Sequence, residues 1–246
     1  MKNWHTEKII IDDTNVDFNL KVPVTELMKF FEVATFKHSQ VMGLDHVSME
    51  KNSNAFWVVT KMKVVPLKPI LSGEKINITT WTHDLGTARV LRDCVIKSKN
   101  TTKAKFTAEW CCLDLETRKL RRMNTICYPK LEMEKTKNLK TEFTNLKQEV
   151  EEKDFVYSRI VRSTDIDVNN HTNNLKYNIM AVDAFKVEEL KEIDFKEYEI
   201  YFVNESHEGD IINIYKKKIG QYYYIEGKTE TKTIFKVIIK IKKKER

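Results

Sequence analysis

Glycine is scarce in this chain, with six residues in 246, about a third of the ~7% usual in proteins. No stretch fits G-x-G-x-x-G or G-x-x-x-x-G-K-[ST], so no glycine loop can cradle a dinucleotide or a triphosphate. Proline is equally sparse, with four residues, and 10% of the chain is aromatic, which excludes collagen-like and disordered compositions. Long apolar runs are missing too. The longest, Ala55–Val59, is far short of the ~20 residues that span a bilayer, so no membrane insertion is expected. The first residues contain no apolar region of the kind found in secretory signals. The four cysteines, Cys94, Cys111, Cys112 and Cys127, form no C-x-x-C pair and read as buried free thiols in a reducing, cytoplasmic setting. His5, His38, His46, His83 and His207 show no ligand spacing, so no metal site is expected, and His38 reads as a surface or boundary residue.

Arginine is also short. The net charge is +7, yet only eight of the 43 basic residues are Arg. Nucleic-acid readers favour the planar guanidinium fork, so the lysine excess points away from nucleic acid. It suits solubility or steering toward an acidic protein.

What the chain does contain is a repeat. Thr14-Asn15-Val16-Asp17-Phe18-Asn19 recurs as Thr164-Asp165-Ile166-Asp167-Val168-Asn169 at an offset of 150. Each segment leads into a helical pattern. Val24, Leu27, Met28, Phe31 and Ala34 mark the first, widened by Phe30 and Val33; Leu175, Ile179, Val182 and Phe185 mark the second. Farther on, Gly73-Glu74-Lys75-Ile76-Asn77-Ile78 resembles Gly209-Asp210-Ile211-Ile212-Asn213-Ile214 at an offset of 136. Strands are expected at Arg89–Lys97 and Lys105–Leu115, then at Ile211–Lys217, Tyr222–Lys228 and Thr233–Ile241. The fold class is therefore α+β, with two tandem units, each a buried central helix wrapped by an antiparallel sheet. The N-terminal unit is placed at 1–130 and the C-terminal unit at 154–246. A charged, partly helical connector at 131–153 joins them.

The two copies differ in their polar side chains. Asp167, Asn169 and His171 stand at i, i+2 and i+4, whereas the first copy has Lys21 in the place of the histidine. If extended, the three would share a face. Thr172, Asn173 or Asn174 is a suitable N-cap for the helix that follows, which would set His171 near a helix N-terminus. On their own these residues also suit a simple turn.

The segment Arg162-Ser163-Thr164-Asp165-Ile166-Asp167-Val168-Asn169-Asn170-His171-Thr172-Asn173-Asn174-Leu175-Lys176-Tyr177 resembles the R-x-[ST]-D-x-D-x-N-x-H-x-N-N-x-x-Y signature of hotdog-fold thioesterases. The tandem arrangement further resembles the fatty acyl-ACP thioesterases of plants and their bacterial relatives. Trp81, Arg92-Asp93, Trp110, Asp114, Thr117 and Arg118 carry the likeness in the first half. The resemblance implies a double hotdog that hydrolyses fatty acyl-ACP to free fatty acid and holo-ACP without a cofactor. Acidic acyl carrier protein (ACP) would then be the partner. It also implies catalytic roles for Asp167, Asn169, His171 and a glutamate matched by Glu205, placed by its distance from Gly209-Asp210. Ser206 stands where plant members carry Cys, and Ser163 replaces an aromatic. The N-terminal hotdog would hold the acyl chain, with Met28, Phe31, Phe56, Trp57 and Val58 as candidates to line an apolar tunnel or, equally, ordinary core. An acyl-CoA thioesterase and a non-catalytic basic binding module are the alternatives. Either a monomer with an internal pseudo-dimer or a homodimer fits.

Overall fold

A computed structural model describes residues 3–130, 137–139, 143–144 and 148–244. The chain divides into two compact units, Met1–Glu142 and Phe143–Arg246. In the first unit, β1 (Trp4–Ile10) is followed by α1 (Val24–Met42), α2 (His46–Ser53), β2 (Ala55–Pro66), β3 (Lys75–Leu85), β4 (Arg89–Ser98) and β5 (Thr101–Asp114). Its strands lie in the order β1-β3-β4-β5-β2, with antiparallel neighbours. The second unit runs β6 (Phe155–Ile160), α3 (Asn174–Asp183), α4 (Val187–Glu192), β7 (Ile193–Phe202), β8 (Ile211–Ile219), β9 (Tyr222–Lys228) and β10 (Thr233–Lys243). Its strand order, β6-β8-β9-β10-β7, repeats the first sheet element for element. The five expected strands are all present, with ends shifted by a few residues. Among the described residues no helix is long and apolar enough to cross a membrane, and no group of three or more His, Cys, Asp or Glu is placed to hold a metal.

Helix α1 buries Val24, Leu27, Met28, Phe30, Phe31, Ala34 and Met42. Phe31 meets Phe106 of β5 with ring centroids 5.4 Å apart. Each large apolar side chain buried this way contributes roughly 1.5–3 kcal/mol. Val33, expected on this face, is exposed instead. The second helix departs further from its expected stripe. Tyr177, Met180, Ala181 and Ala184 face the core with Phe185, while Ile179 is exposed and Leu175 and Val182 are only half-buried. The aliphatic 3–4 spacing therefore marks a neighbouring stripe of α3.

His38 is also corrected. It is buried on α1, where Arg92 of β4 donates through Nη1 to its Nδ1 at 2.8 Å. Burial pulls the Arg92 guanidinium down to about 10, which leaves it charged at neutral pH. Cys94, Cys111 and Cys112 are buried free thiols as expected, whereas the Cys127 thiol is exposed.

Much of the expected connector, 131–136, 140–142 and 145–147, lies outside the described residues. Of its described parts, Glu152 and Lys153 open a short 3-10 helix, Glu152–Asp154, while Asn138 and Thr144 attach to the sheets. Asn138 donates its backbone N–H to Asp93 Oδ2 at 2.5 Å and its side-chain amide to the Cys94 carbonyl. Thr144 donates its N–H and its hydroxyl to the Glu199 carboxylate, both at 2.9 Å.

Candidate active site

The D-x-N-x-H segment is not extended. It closes a tight turn in which the Asp167 N–H donates to the His171 carbonyl at 2.9 Å and the Asn170 N–H to the Asp167 carbonyl at 3.0 Å. Asn170 takes a left-handed φ of 63°, a conformation asparagine tolerates better than most residues. Within the turn Asp167 Oδ1 accepts from the Asn169 N–H at 2.8 Å. Asp167 and His171 thus meet because the chain turns back, with Asp167 Oδ1 3.6 Å from His171 Nδ1.

The opposite ring nitrogen faces a second carboxylate. His171 Nε2 lies 3.6 Å from Glu205 Oε1, contributed by the loop between β7 and β8. The imidazole, 10% exposed, therefore stands between two carboxylates, one at each nitrogen. Its Nε2 forms no hydrogen bond with any described residue.

The support beneath the turn is polar. Asp165, 1% exposed, accepts from Arg159 Nη2 at 2.8 Å and from the Arg162 N–H at 3.1 Å, and lies 3.4 Å from Lys176 Nζ. Burial alone would raise its pKa. The Arg162 hydrogen bond and the Arg159 and Lys176 charges outweigh that, holding the carboxyl below the usual range. Asn173 is the N-cap of α3, accepting from the Leu175 N–H at 2.8 Å. His207 donates through Nδ1 to the Asn170 carbonyl at 3.2 Å, so it braces the turn from outside.

Ser206 was legible only as a substitution for the plant cysteine. It is fully buried, on the side of the loop away from solvent, and bonded to Thr172 and Tyr177. That placement follows from its being next to Glu205, but nothing in the sequence announces Thr172 and Tyr177 as its partners.

The structure does not gather the expected lining residues onto one surface. Met28 and Phe31 are core residues of α1, and Phe56 is buried beneath the Arg118 guanidinium at 4.6 Å. Successive residues of a strand alternate faces, so Trp57 points away from Phe56 and Val58. Trp57 packs with Met42, Met49, Cys112 and Met123, and its ring meets Tyr128 edge-on at 6.4 Å. Tyr128 in turn lines a cavity of about 700 Å3 in the first unit, together with Leu85, Thr87, Arg122, Met123 and Lys130.

Comparison with known proteins covers both copies. Residues 2–128 match the model of the acyl-ACP thioesterase N-terminal domain, and residues 146–245 match that of the acyl-ACP thioesterase C-terminal domain. The chloroplastic palmitoyl-acyl carrier protein thioesterase of Arabidopsis thaliana is 29% identical over 131 residues, 50% of this chain and 32% of the plant protein. Oleoyl-acyl carrier protein thioesterase 1 of the same plant is 20% identical over 85% of this chain and 62% of its own length. The chain thus spans less than two thirds of either curated relative. Among solved structures, the 12:0-ACP thioesterase from Umbellularia californica superposes with a TM-score of 0.86 at 15% identity, covering 99% of each chain. An acyl-ACP thioesterase from Bacteroides thetaiotaomicron gives 0.82 at 18% identity over 98% of each chain. At such identities the likeness is one of fold, here the tandem hotdog. With one family model on each copy of the repeat, the chain belongs to the acyl-ACP thioesterase family.

Proposed function

We propose that this chain hydrolyses the thioester of fatty acyl-ACP, releasing free fatty acid and holo-ACP. The observation that carries the reading is the His171 imidazole held between Asp167 and Glu205 at 3.6 Å on either side, in a chain of this family. A thioester needs an activated water and a donor for its carbonyl oxygen, while its thiolate leaves readily. Glu205 takes the proton from water as the oxygen attacks the carbonyl carbon. Asn169 and His171 orient the water and polarise the carbonyl. Collapse of the tetrahedral intermediate breaks the C–S bond, and the thiolate takes up the proton that Glu205 received, giving the ACP thiol and restoring the carboxylate. Asp167 holds the turn and the His171 tautomer. Such acid–base assistance is worth roughly 10²–10⁴-fold.

The first copy, without His or Glu at the matching positions, would hold the acyl chain. Trp57, packed on the wall residue Tyr128, is the candidate whose placement best supports this. The net charge of +7 suits steering of an acidic carrier protein, which salt would weaken.

The test is steady-state hydrolysis of an acyl-ACP panel across chain lengths, set against the same acyl groups on CoA. Higher kcat/KM on ACP, falling as salt rises, is expected. Preference for CoA would make this an acyl-CoA thioesterase, and salt-dependent binding of DNA with no hydrolysis would make it a basic binding module.

A further inference from the structure

Three buried hydroxyls lie behind the candidate site and take no part in the chemistry above. Ser206 Oγ is 2.7 Å from Thr172 Oγ1 and 2.9 Å from the Tyr177 hydroxyl. The Thr172 hydroxyl donates to the Ser206 carbonyl at 3.1 Å, and the Ser206 N–H donates to the Tyr177 oxygen at 3.2 Å. All three residues are at most 2% exposed. One proton arrangement satisfies the whole group. Tyr177 donates to Ser206, Ser206 to Thr172 and Thr172 to the Ser206 carbonyl, while the Ser206 N–H closes the circuit on Tyr177. Burial pushes the Tyr177 phenol up, so it stays a neutral donor.

Thr172 follows His171 in the chain, and Ser206 follows Glu205. The circuit therefore clamps together the two segments that set the His171–Glu205 separation. The protein supplies its own control. By the offsets of 150 and 136, Thr172, Ser206 and Tyr177 correspond to Val22, Ile70 and Leu27. There the Val22 N–H still donates to the Ile70 carbonyl at 3.0 Å, as the Thr172 N–H does to Ser206 at 2.9 Å. All three counterparts are buried and apolar. The junction folds without hydroxyls, and the hydroxyls occur in the copy that carries His171 and Glu205.

We infer that Thr172, Tyr177 and Ser206 are positioning residues whose buried hydroxyl circuit fixes the distance between His171 and Glu205, and that Ser206 is not a nucleophile. The inference rests on the reading of the site given above. A serine nucleophile needs a general base at its oxygen. The Ser206 hydroxyl instead meets two neutral hydroxyls.

The experiment measures kcat and KM on acyl-ACP, with thermal unfolding, for Thr172→Val, Thr172→Ser, Ser206→Ala and the pair Thr172→Val/Ser206→Ala, beside His171→Ala. A misplacement of about 1 Å costs up to ~10²-fold in rate. Thr172→Val and Ser206→Ala are therefore expected to lower kcat by roughly 10- to 10²-fold, with KM changed less than about twofold. Thr172→Ser should restore turnover, and the double variant should lose little more than one single variant, because both break the same circuit. Wild-type kcat in Ser206→Ala and Thr172→Val while His171→Ala is inactive would overturn the circuit alone. A product burst from acylated Ser206 would overturn it as well, and so would failure of Thr172→Val to fold, given Val22. An active His171→Ala would instead remove the reading of the site on which the circuit depends.

Discussion

Gly73 and Gly209 occupy the same bend in the two copies. Their φ angles are +81° and +88°, and each donates its N–H to the carbonyl of the residue that follows the first strand of its unit, Ile11 at 2.7 Å and Val161 at 3.0 Å. The return bonds match as well, with the Ile11 N–H on Glu74 and the Val161 N–H on Asp210, both at 2.9 Å. The two sequence offsets, 150 and 136, thus meet in one physical contact. Most of the 14-residue difference between them lies in the helices, which have 10 and 6 residues in the second copy against 19 and 8 in the first.

That bend gives a ranked stability prediction. A Cβ added at Gly73 or Gly209 meets nothing within 4 Å, so alanine there carries only the left-handed backbone penalty, about 1–2 kcal/mol. Gly227 is different. Its added Cβ would lie 2.3 Å from Phe235 Cε1, inside the packed core of the second unit. Gly227→Ala should therefore move the denaturant midpoint further than either bend variant, since overpacking a core costs ~1–3 kcal/mol or more. Equal midpoints for all three would contradict the packing described here.

The carboxylate–imidazole–carboxylate arrangement predicts an order of kinetic losses. Glu205→Gln keeps the shape but removes the proposed base, and His171→Ala removes the group between both carboxylates. Each should lower kcat on acyl-ACP by at least ~10²-fold with the thermal midpoint retained. Asp167→Asn keeps an oxygen for the Asn169 N–H and should lose less than either. A Glu205→Gln enzyme with near-normal turnover would take Glu205 out of the mechanism.

The residues of the candidate site that are neighbours in sequence are legible there, and the contacts that are not share a cause. Asp167, Asn169 and His171 are close in sequence, whereas Glu205 is reached only through the family resemblance, anchored on Gly209-Asp210. Local spacing does not carry contacts between distant elements. His38 looked like a boundary residue because its partner Arg92 lies 54 positions away on a strand. The inner face of α3 was misassigned because aliphatic spacing ignores residues such as Asn178, which is fully buried with its amide donating to the Asn174 carbonyl at 3.1 Å. Ser206 faces the interior because neighbouring Glu205 faces His171, and only the fold says which of the two points inward.

Asp165 predicts how stability depends on pH. Its carboxyl sits below the usual range in the folded protein, so it binds a proton less readily folded than unfolded. The contribution is present above the unfolded carboxylate value of about 3.9 and is lost as pH falls through the lower folded value. Asp165→Asn should therefore lower the denaturant midpoint at pH 7, and the gap to wild type should narrow below about pH 4. A gap that stays constant between pH 7 and pH 3 would show that the Arg159 and Lys176 pairing contributes nothing.

The first copy allows the site to be rebuilt in reverse. Asp17 repeats the Asp167 turn, with its Oδ1 accepting from the Asn19 N–H at 2.8 Å and its own N–H donating to the Lys21 carbonyl at 2.9 Å. The backbone at Glu205 is repeated too. Its carbonyl accepts from Lys232 Nζ at 2.8 Å, and the Pro69 carbonyl, 136 positions earlier, accepts from Lys103 Nζ at 2.8 Å. What the first copy lacks is the pair of side chains, since Lys21 and Pro69 stand for His171 and Glu205. In a His171→Ala background, Lys21→His should leave hydrolysis at background, because Pro69, at the position matching Glu205, offers the new imidazole no carboxylate. Adding Pro69→Glu supplies that carboxylate on a loop whose neighbours Val22, Ile70 and Leu27 offer no hydroxyls to hold it. The triple variant should therefore remain far below wild type. Recovery by Lys21→His alone would mean that the turn and the histidine suffice, and that Glu205 is not the base.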